Sequence, residues 1–441
     1  MESFRIELQS TGRIKVSIKR EALKHCKLNN MNIIIPKFHV KPELNQILNL
    51  ITYENDEEIN YEAIDEVLDN KFIIIFQNEN LGLVRDPIGY IPCYLHYSDG
   101  SYIISDRIFL REKTSNVIRL YPWHIYEMKF DKKIVMLAKK NYHFLLENET
   151  YRKKPISFSE AVKILKDYLY QRLRNIINQL KLKRLYVSYS GGVDSSLTAK
   201  LLSECGCDVI AIIAGLRNSQ ELRMAEENAR LMKLDYQLIE IKPDLSEVEE
   251  DVTNVIGMIE DFTPMNIAIG LAQYWVMKNI SKNATLAVGQ GADEVYAGYQ
   301  RYTDIYLEEG EKAALEDIKY HILYSYKVNF EREWKLSIAN NISLLYPLIS
   351  PGIIHYISGL PLKYLISGPS DIYRKRILRE VAKEMGIPKE IYMRPKRSMQ
   401  YSTGSMDMIR RISKQYGLKP FQYLYNEFIN IFIDKSFKVY R

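Results

Sequence analysis

The sequence predicts an α/β protein whose larger part is a parallel, doubly wound sheet, preceded by a small β-rich domain. Two observations predict this class. From about residue 185 onwards, short apolar runs alternate with helical patterns, and such alternation is typical of a parallel sheet covered by helices. Before about residue 155 the apolar runs are separated by Asn, Asp and Gly turns, which indicates a succession of short strands.

The N-terminal region, residues 1–155, is predicted to form a domain of its own. The polar stretch Asn148–Lys154 is interpreted as the linker to a second domain, residues 156–441. A helix is predicted directly after this linker, because Ser157 and Glu160 fit a capping box and apolar residues then recur at helical spacing.

Strands and helices alternate in the second domain. The predicted strands are Leu185–Tyr189, Val209–Ala214, Tyr236–Ile241 and Ala284–Val288. The predicted helices between the first three strands are Ser195–Cys205 and Ser219–Met232. Beyond about residue 304 the patterns are mostly helical. Ligands of doubly wound sheets bind at the carboxyl ends of the strands, so the loops that follow these strands are the expected place for a site.

Composition excludes several classes of protein. The 441 residues are 46% hydrophobic and 26% charged, which is typical of a soluble globular protein. No apolar run reaches the ~18 residues of a membrane span, and the first residues lack the features of a signal peptide. Four cysteines do not make a disulfide framework in so long a chain. A cytoplasmic location is therefore expected, without membrane attachment.

The most informative segment follows the first predicted strand and precedes a helix. Its residues are Ser190, Gly191, Gly192, Val193, Asp194, Ser195 and Ser196. The paired glycines let backbone N–H groups approach a phosphate, and the helix N-terminus adds partial positive charge. Ser195 and Ser196 offer hydroxyl donors, and Asp194 can hold a Mg²⁺ that shares the phosphate charge. No lysine follows the glycines, so the segment is not a Walker motif.

A second glycine-rich segment, Gly289-Gln290-Gly291-Ala292-Asp293-Glu294, follows the fourth predicted strand. If the two segments lie at neighbouring strand ends, Asp194 and Asp293 can share one Mg²⁺ over a polyphosphate. The sequence therefore predicts both aspartates as metal ligands.

Both segments resemble known motifs. The first is similar to the PP-loop of enzymes that cleave ATP between the α and β phosphates, whose fold is adenine nucleotide alpha hydrolase-like. The second resembles the Asp-Glu-bearing loop of the asparagine synthetase family, which includes β-lactam-forming synthetases. Further segments match that family in order: Ser219-Gln220-Glu221, Tyr346–Ser350, Lys375–Arg379 and Arg394-Pro395-Lys396. The resemblance covers most of residues 157–405 and implies ATP and Mg²⁺ as cofactors.

The resemblance also implies a reaction. A carboxylate, aspartate or a related acid, is activated as its acyl-adenylate and passed to ammonia or an amine, with release of AMP and pyrophosphate. The implied phosphate ligands are Ser190, Gly191, Gly192, Ser195, Ser196 and Lys375, and the implied adenine contacts are the backbone near Ala214 and Gly289. Lys396 is implied to stabilise negative charge at the reacting centre, a contribution worth ~3–4 kcal/mol in such sites.

Two positions depart from the family pattern and put aspartate as the substrate in doubt. Asparagine synthetases have Glu where this chain has Gln290, beside the acceptor, and the β-lactam-forming relatives have Tyr. A neutral amide can neither pair with an ammonium as a carboxylate does nor take a proton from an amine, although Gln290 can still hydrogen-bond a substrate. Ser350 stands where the family has Asp.

Parts of the N-terminal region resemble the family's glutaminase domain, which is of the Ntn-hydrolase type. That domain uses an N-terminal Cys whose own amino group serves as base. Here the second residue is Glu2, and the nearest thiol, Cys26, has no free amine. A degenerate domain without glutaminase activity is expected, so nitrogen comes from free ammonia, from an amine donor, from an amine elsewhere on the substrate, or from a separate nitrogen-donating or carrier protein. The sequence leaves intermolecular and intramolecular amide formation both open.

Two other functions remain open. A PP-loop enzyme that modifies tRNA bases would need an RNA-binding domain and strongly salt-dependent binding, and the net charge of +6 is too small to favour nucleic acid. A catalytically idle paralogue would bind a partner instead, but the retention of Asp194, Asp293, Lys375 and Lys396 argues against it. Dimers are the commonest assembly for soluble enzymes, so a homodimer is one assembly open to this chain, but the sequence does not determine the oligomeric state.

Overall fold

The computed structural model divides the chain into two compact units. The residues described are 4–8, 14–18, 23–28, 31–36, 73–77, 81–98, 101–109, 116–122, 124–128, 134–138, 146, 156–242, 244–395 and 403–434. The first unit comprises Met1–Ile156, Leu315–Glu331 and Ile349–Leu362. The second comprises Ser157–Ala314, Arg332–Leu348 and Lys363–Arg441.

The described strands of the first unit form two antiparallel sheets, as expected of a β-rich domain. The strands are β1 (Phe4–Leu8), β2 (Ile14–Ile18), β3 (Leu23–Leu28), β4 (Met31–Pro36), β5 (Ile73–Gln77), β6 (Leu81–Arg85), β7 (Tyr94–Ser98), β8 (Ser101–Ser105), β9 (Asn116–Arg119), β10 (Ile125–Met128) and β11 (Ile134–Ala138). One sheet has the order β2-β1-β8-β7-β9 and the other β11-β10-β6-β5-β4-β3. The glutaminase-like identity of this unit stays a prediction.

The second unit contains the parallel sheet, which confirms the predicted fold class. Its strands are β12 (Arg184–Ser188), β13 (Asp208–Leu216), β14 (Asp235–Ile241), β15 (Thr285–Ala287) and β16 (Ser343–Leu345). They pair in the order β14-β13-β12-β15-β16, and every pairing is parallel. Strands β13 and β14 extend the sheet on one side of β12, whereas β15 and β16 extend it on the other side, so the strand order reverses between β12 and β15. In sheets of this kind a crevice opens at the carboxyl ends of the two strands where the order reverses, and ligands bind there.

Helices connect and flank these strands. The described helices are α1 (Phe158–Leu180), α2 (Val193–Glu204), α3 (Gln220–Leu231), α4 (Leu245–Ile259), α5 (Pro264–Met277), α6 (Ala292–Val295), α7 (Gln300–Glu309), α8 (Glu311–Ser325), α9 (Glu331–Asn340), α10 (Pro351–Ser358), α11 (Arg376–Glu384), α12 (Lys389–Tyr392), α13 (Ser405–Gln415) and α14 (Pro420–Ile429). The stretches Tyr326–Phe330 and Asn430–Asp434 are π-helical, and Leu362–Tyr364 is a 3₁₀ turn.

Local sequence signals account for the first helices. The hydroxyl of Ser157 accepts the backbone N–H of Glu160 at 3.2 Å and so caps α1, as the capping pattern predicts. Ser219 caps α3 by accepting the N–H of Leu222. The short strand β16 was not predicted, because three apolar residues carry no periodicity that separates a strand from a helical segment.

Two late segments of the chain belong to the first unit, although their positions fall within the predicted second domain, residues 156–441. Leu315–Glu331 brings Phe330 edge-to-face against Tyr90, with ring centroids 5.0 Å apart. Ile349–Leu362 begins with Ile349, whose carbonyl accepts the Tyr90 hydroxyl at 3.4 Å. Aromatic packing of this kind is not visible in the local sequence.

Ser350, which stands where the family has Asp, has a structural role, and this role accounts for the residue without a part in catalysis. Ser350 is fully buried, and its hydroxyl accepts the backbone N–H of Ile353 at 3.1 Å, which caps α10. Ser and Asp are both good N-cap residues, so Ser350 keeps the capping function that the family's Asp can supply.

Among the described residues, no single helix has the length and apolar character needed to cross a membrane. The pair α4 and α5 passes that test only when taken together, and the two helices are bent at 106° to one another.

Candidate active site

The glycine turn after β12 is held in place by helix α3. Gly191 has a φ of +70°, and a Cβ atom there would lie 2.9 Å from the Cα of Ala225 in α3. The buried side chain of Asn228, one turn further along α3, donates from Nδ2 to the carbonyl of Gly191 at 2.8 Å. Left-handed backbone and close packing both require glycine at this position.

The two serines that follow the glycines face different surroundings. Ser195 lies in the first turn of α2 and faces the glycine loop: its Oγ accepts the backbone N–H of Ser190 at 3.2 Å and donates to the carbonyl of Gly192. Ser196 is fully buried, and its Oγ lies 3.0 Å from the hydroxyl of Tyr189. Burial raises the pKa of Tyr189 to about 12. The hydroxyl of Ser196 thus points at a neutral phenol in the core rather than at the loop.

Asp194 and Asp293 meet on one ammonium group. The Nζ of Lys375 lies 2.5 Å from Oδ2 of Asp194 and 2.7 Å from Oδ1 of Asp293. The lysine side chain is 3% exposed, whereas the two carboxylates retain 25% and 21% exposure. Burial acts to lower the pKa of Lys375, but the two carboxylates outweigh it and raise the pKa. The lysine is therefore a permanent cation at this point.

Lys375 is carried on a turn with unusual backbone geometry. Arg374 and Lys375 have φ values of +53° and +51°, a conformation that costs about 1 kcal/mol or more for each non-glycine residue. The guanidinium of buried Arg379 holds the turn by donating to the carbonyls of Tyr373 and Arg374. It also donates to the carbonyl of Arg394 at 3.0 Å, so it ties this turn to the segment before Lys396.

Glycines allow the two motifs to approach each other. A Cβ on Gly289, at the end of β15, would lie 3.1 Å from the Cβ of Asp194. A Cβ on Gly298 would lie 2.0 Å from Oδ1 of Asp293 and 2.2 Å from Cε of Lys375. The sequence placed Gly289 near adenine, but in the structure it lies against the aspartate of the first motif.

The donor set fits a magnesium ion shared with a polyphosphate. Oδ1 of Asp194 is buried and accepts no hydrogen bond from a described residue, so one carboxylate oxygen has a free lone pair beside the Lys375 contact. Within the described part of the chain, no group of three or more His, Cys, Asp or Glu side chains could hold a metal ion. Mg²⁺ commonly binds through one or two carboxylates together with substrate phosphates, which is what Asp194 and Asp293 offer.

A groove and a cavity both reach the end of β12 and Ser190. The groove is lined by Ala214, the predicted adenine contact, together with Tyr189, Glu221, Arg394 and Thr403 among others. The predicted catalytic Lys396 lies outside the described residues. Three residues, Ser188, Ser190 and Val276, line both the groove and the cavity. A nucleotide whose base lies in the groove would therefore bring its phosphates to the mouth of the cavity.

The cavity has a volume of about 110 Å³ and contains a carboxyl group that the sequence analysis missed. Glu333 of α9 is 1% exposed, and Gln273 donates to its Oε1 at 2.6 Å. Burial raises the pKa of Glu333 from 4.5 to about 7, against the opposing effect of Arg332 and of the nearby Tyr346 and Gln273. The sequence signal for it was the run Glu331–Lys335, in which four of five residues are charged. Charged residues so closely spaced lie all around a helix, so at least one of them had to face the protein interior.

Gln290, the other predicted catalytic residue, also lines the cavity. Its Nε2 lies 3.5 Å from Oε1 of Glu294, which accepts a shorter hydrogen bond from the Tyr299 hydroxyl at 2.6 Å. Burial, followed by the charge of Glu294, raises the pKa of Tyr299 well above its usual value. The amide of Gln290 is therefore only loosely held and remains able to contact a substrate.

The chain is similar to known proteins. The family model for asparagine synthase matches residues 183–331 and 309–439. A protein of Methanocaldococcus jannaschii named "Putative asparagine synthetase (glutamine-hydrolyzing) 1" is 31% identical over 308 residues, which are 62% of this chain and 55% of that protein. The chain thus spans about half the length of this curated relative.

Two solved structures are similar at lower levels. A structure of NMN synthetase from Francisella tularensis is 17% identical, with a TM-score of 0.32, and the match covers 64% of this chain and 94% of that one. A predicted subunit of tRNA methyltransferase from Methanocaldococcus jannaschii is 19% identical, with a TM-score of 0.26, and the match covers 54% and 90% of the two chains.

Proposed function

The chain belongs to the asparagine synthase family, and we propose that it is an ATP-dependent ligase that joins a carboxylate to nitrogen. In this reaction ATP activates the carboxylate as an acyl-adenylate, and ammonia or an amine then displaces AMP. The observation that carries the proposal is the meeting of Asp194 and Asp293 on the Nζ of Lys375 at 2.5 and 2.7 Å. This arrangement offers a cation and two metal-binding carboxylates where the pyrophosphate of ATP must leave.

The first step is transfer of AMP to the carboxylate. The adenine lies in the groove beside Ala214, and the backbone of Gly191 and Gly192 with the hydroxyl of Ser195 binds the phosphates. Asp194 and Asp293 would hold Mg²⁺, which when bound would neutralise charge on the pyrophosphate. A carboxylate oxygen of the substrate attacks the α-phosphorus, the bond to the bridging oxygen breaks, and pyrophosphate leaves beside the Lys375 ammonium.

The second step needs a base and a cation at the acyl carbon. The attacking amine loses a proton, and Glu333 accepts it. A pKa near 7 suits this role, because near neutral pH much of the group is ionised and still binds a proton well. Lys396, assigned by its motif alone, stabilises the oxyanion that forms when nitrogen adds to the acyl carbon. Collapse of that intermediate breaks the bond to the AMP oxygen and leaves the amide.

The pH dependence of amide formation tests the role of Glu333. Its pKa of about 7 means that the carboxylate is lost as the pH falls from 8 to 6, so we expect the rate to fall about tenfold across that interval. The charged groups around it are Arg332, which favours the carboxylate, and Glu294, which disfavours it. Glu333→Gln should remove the inflection near pH 7 and slow the reaction by about 100-fold. An inflection that persists in this variant would assign the titration to another group.

Exchange of labelled pyrophosphate into ATP tests the proposed function itself. The assay is run with a panel of carboxylic acids, aspartate included, on the unaltered chain and on Asp194→Asn. We expect exchange to depend on one acid and to fall by about 100-fold or more in the variant, because the amide cannot bind Mg²⁺ as a carboxylate does. Asp407→Asn, an exposed aspartate of α13, is the matched control and should exchange normally.

Two results would count against the proposal. Exchange that survives in Asp194→Asn would remove the metal site from the mechanism. If no acid supports exchange, ATP does not bind, and no pyrophosphate is released when ammonia or amines are added, the chain would be an idle paralogue of the family.

A further inference from the structure

The cavity beside the glycine turn has two chemically different halves. Four side chains make its apolar wall. Val276 and Met277 come from α5, Leu286 comes from β15, and Val288 directly follows β15. Its polar end is made by Gln273, Gln290 and Glu333. A molecule that fills this space must therefore carry both an apolar part and a polar head.

The charge of the polar end determines whether the polar head of the bound molecule is a cation or an anion. Oε2 of Glu333 is buried and accepts no hydrogen bond from a described residue. The other acidic lining residue, Asp194, is already paired with Lys375. The described lining residues include no Lys, Arg or His. The guanidinium of Arg332, which neighbours Glu333, donates to Gln273 at 3.1 Å and also to Asn266. An ammonium group is favoured next to Glu333, whereas a second carboxylate would be repelled at low dielectric.

The volume sets the length of the apolar part. A cavity of 150 Å³ lined by aliphatic side chains accommodates benzene, with six heavy atoms. The 110 Å³ of this cavity is about three quarters of that volume, which corresponds to roughly four heavy atoms. Ammonia alone would leave the apolar wall without a contact, and each added methylene that is buried there strengthens binding by about fourfold.

We propose that the nitrogen donor is a short aliphatic primary amine, whose ammonium group binds Glu333 and whose chain of about three carbons packs on Val276, Met277, Leu286 and Val288. This inference rests on the proposed ligase function and names its second substrate. Before attack the bound ammonium releases one proton to water. The free amine then attacks the acyl carbon, and the Glu333 carboxylate accepts the second proton as the carbon–nitrogen bond forms and AMP leaves.

Binding of a homologous series of amines tests this directly. Methylamine, ethylamine, n-propylamine and n-hexylamine are titrated at pH 8 into the full chain with Mg²⁺ and a non-hydrolysable ATP analogue, and binding is followed by calorimetry or ligand-observed NMR. We expect n-propylamine to bind about tenfold or more tightly than methylamine, and n-hexylamine to bind more weakly than n-propylamine. Propionate, an anion of similar size, should not compete. A flat series, or competition by propionate, would overturn the inference.

A pair of glutamate variants separates recognition from general effects. Glu333→Gln keeps the shape of the side chain and should weaken n-propylamine binding by more than tenfold, whereas Glu308→Gln, at an exposed position of α7, should have no effect. The thermal midpoint of each variant reports whether it folds. Equal n-propylamine affinity in a folded Glu333→Gln would also overturn the inference. Two measurements distinguish the two proposals: pyrophosphate exchange with the acid panel, and pyrophosphate release with the acids and amines together. Either signal with a flat amine series rejects only the amine, and amine binding without either signal rejects the ligase.

Discussion

Replacement of Lys375 by Met is expected to lower the rate of pyrophosphate release by about 100- to 1000-fold, the usual cost of removing one preorganised electrostatic contact. The ammonium lies within 2.7 Å of both motif carboxylates. Without it Asp194 and Asp293 repel each other, and the leaving pyrophosphate loses its fixed countercharge. Methionine has a similar length and keeps most of the packing of the lysine stem.

The Lys375→Met experiment must separate catalysis from folding. Loss of one partner from a buried ion pair costs up to ~3–5 kcal/mol, and the partial exposure of both aspartates makes the cost here smaller. Thermal unfolding with and without Mg²⁺ measures this cost, since a bound cation can replace the ammonium charge. Lys282→Met, at an exposed position, is the control. Activity within about threefold of the unaltered chain in a folded Lys375→Met variant would reduce the lysine to a structural role.

The sequence predicted those parts of the site that are encoded locally. A strand, two glycines and a helix start are adjacent in the chain, so the glycine turn and the direction of α2 followed from residues 185–202 alone. The parallel order of the strands followed from their alternation with helices. Lys375 was assigned by its motif, but its contact with Asp194 spans 181 positions in the chain, and no spacing rule predicts such a contact.

Ser196 and Glu333 show where residue type alone is insufficient. The motif gave Ser195 and Ser196 the same role, yet successive residues of a helix point about 100° apart, so only one of the two hydroxyls faces the loop. Glu333 has an ordinary helical sequence context, and its inward orientation depends on packing against α5 through Gln273. Burial and the resulting pKa are tertiary properties, and a single sequence does not report them.

Gly298→Ala is expected to lower pyrophosphate release by about 100-fold, although the added group is only a methyl. Its Cβ would lie 2.0 Å from Oδ1 of Asp293 and 2.2 Å from Cε of Lys375, distances at which real atoms do not sit. The backbone N–H of Gly298 also donates to the carbonyl of Asp293 at 2.7 Å, and its own carbonyl accepts from Nε of Arg374. The loop therefore cannot move away without breaking the contacts that position both the aspartate and the lysine turn.

The matched control for this variant is Gly257→Ala. Gly257 lies inside α4, and among the described residues beyond its chain neighbours and the backbone of its own helix, the nearest atom to a Cβ there would belong to Ile431, at 3.9 Å. Removing a helical glycine should stabilise the fold by about 0.5–1 kcal/mol and leave exchange unchanged, whereas overpacking at position 298 should cost about 1–3 kcal/mol. Chemical denaturation and pyrophosphate exchange are measured on both variants. If Gly298→Ala loses stability but keeps its exchange rate, the carboxylate–lysine geometry does not limit the reaction; loss of exchange in a folded variant ties catalysis to that geometry.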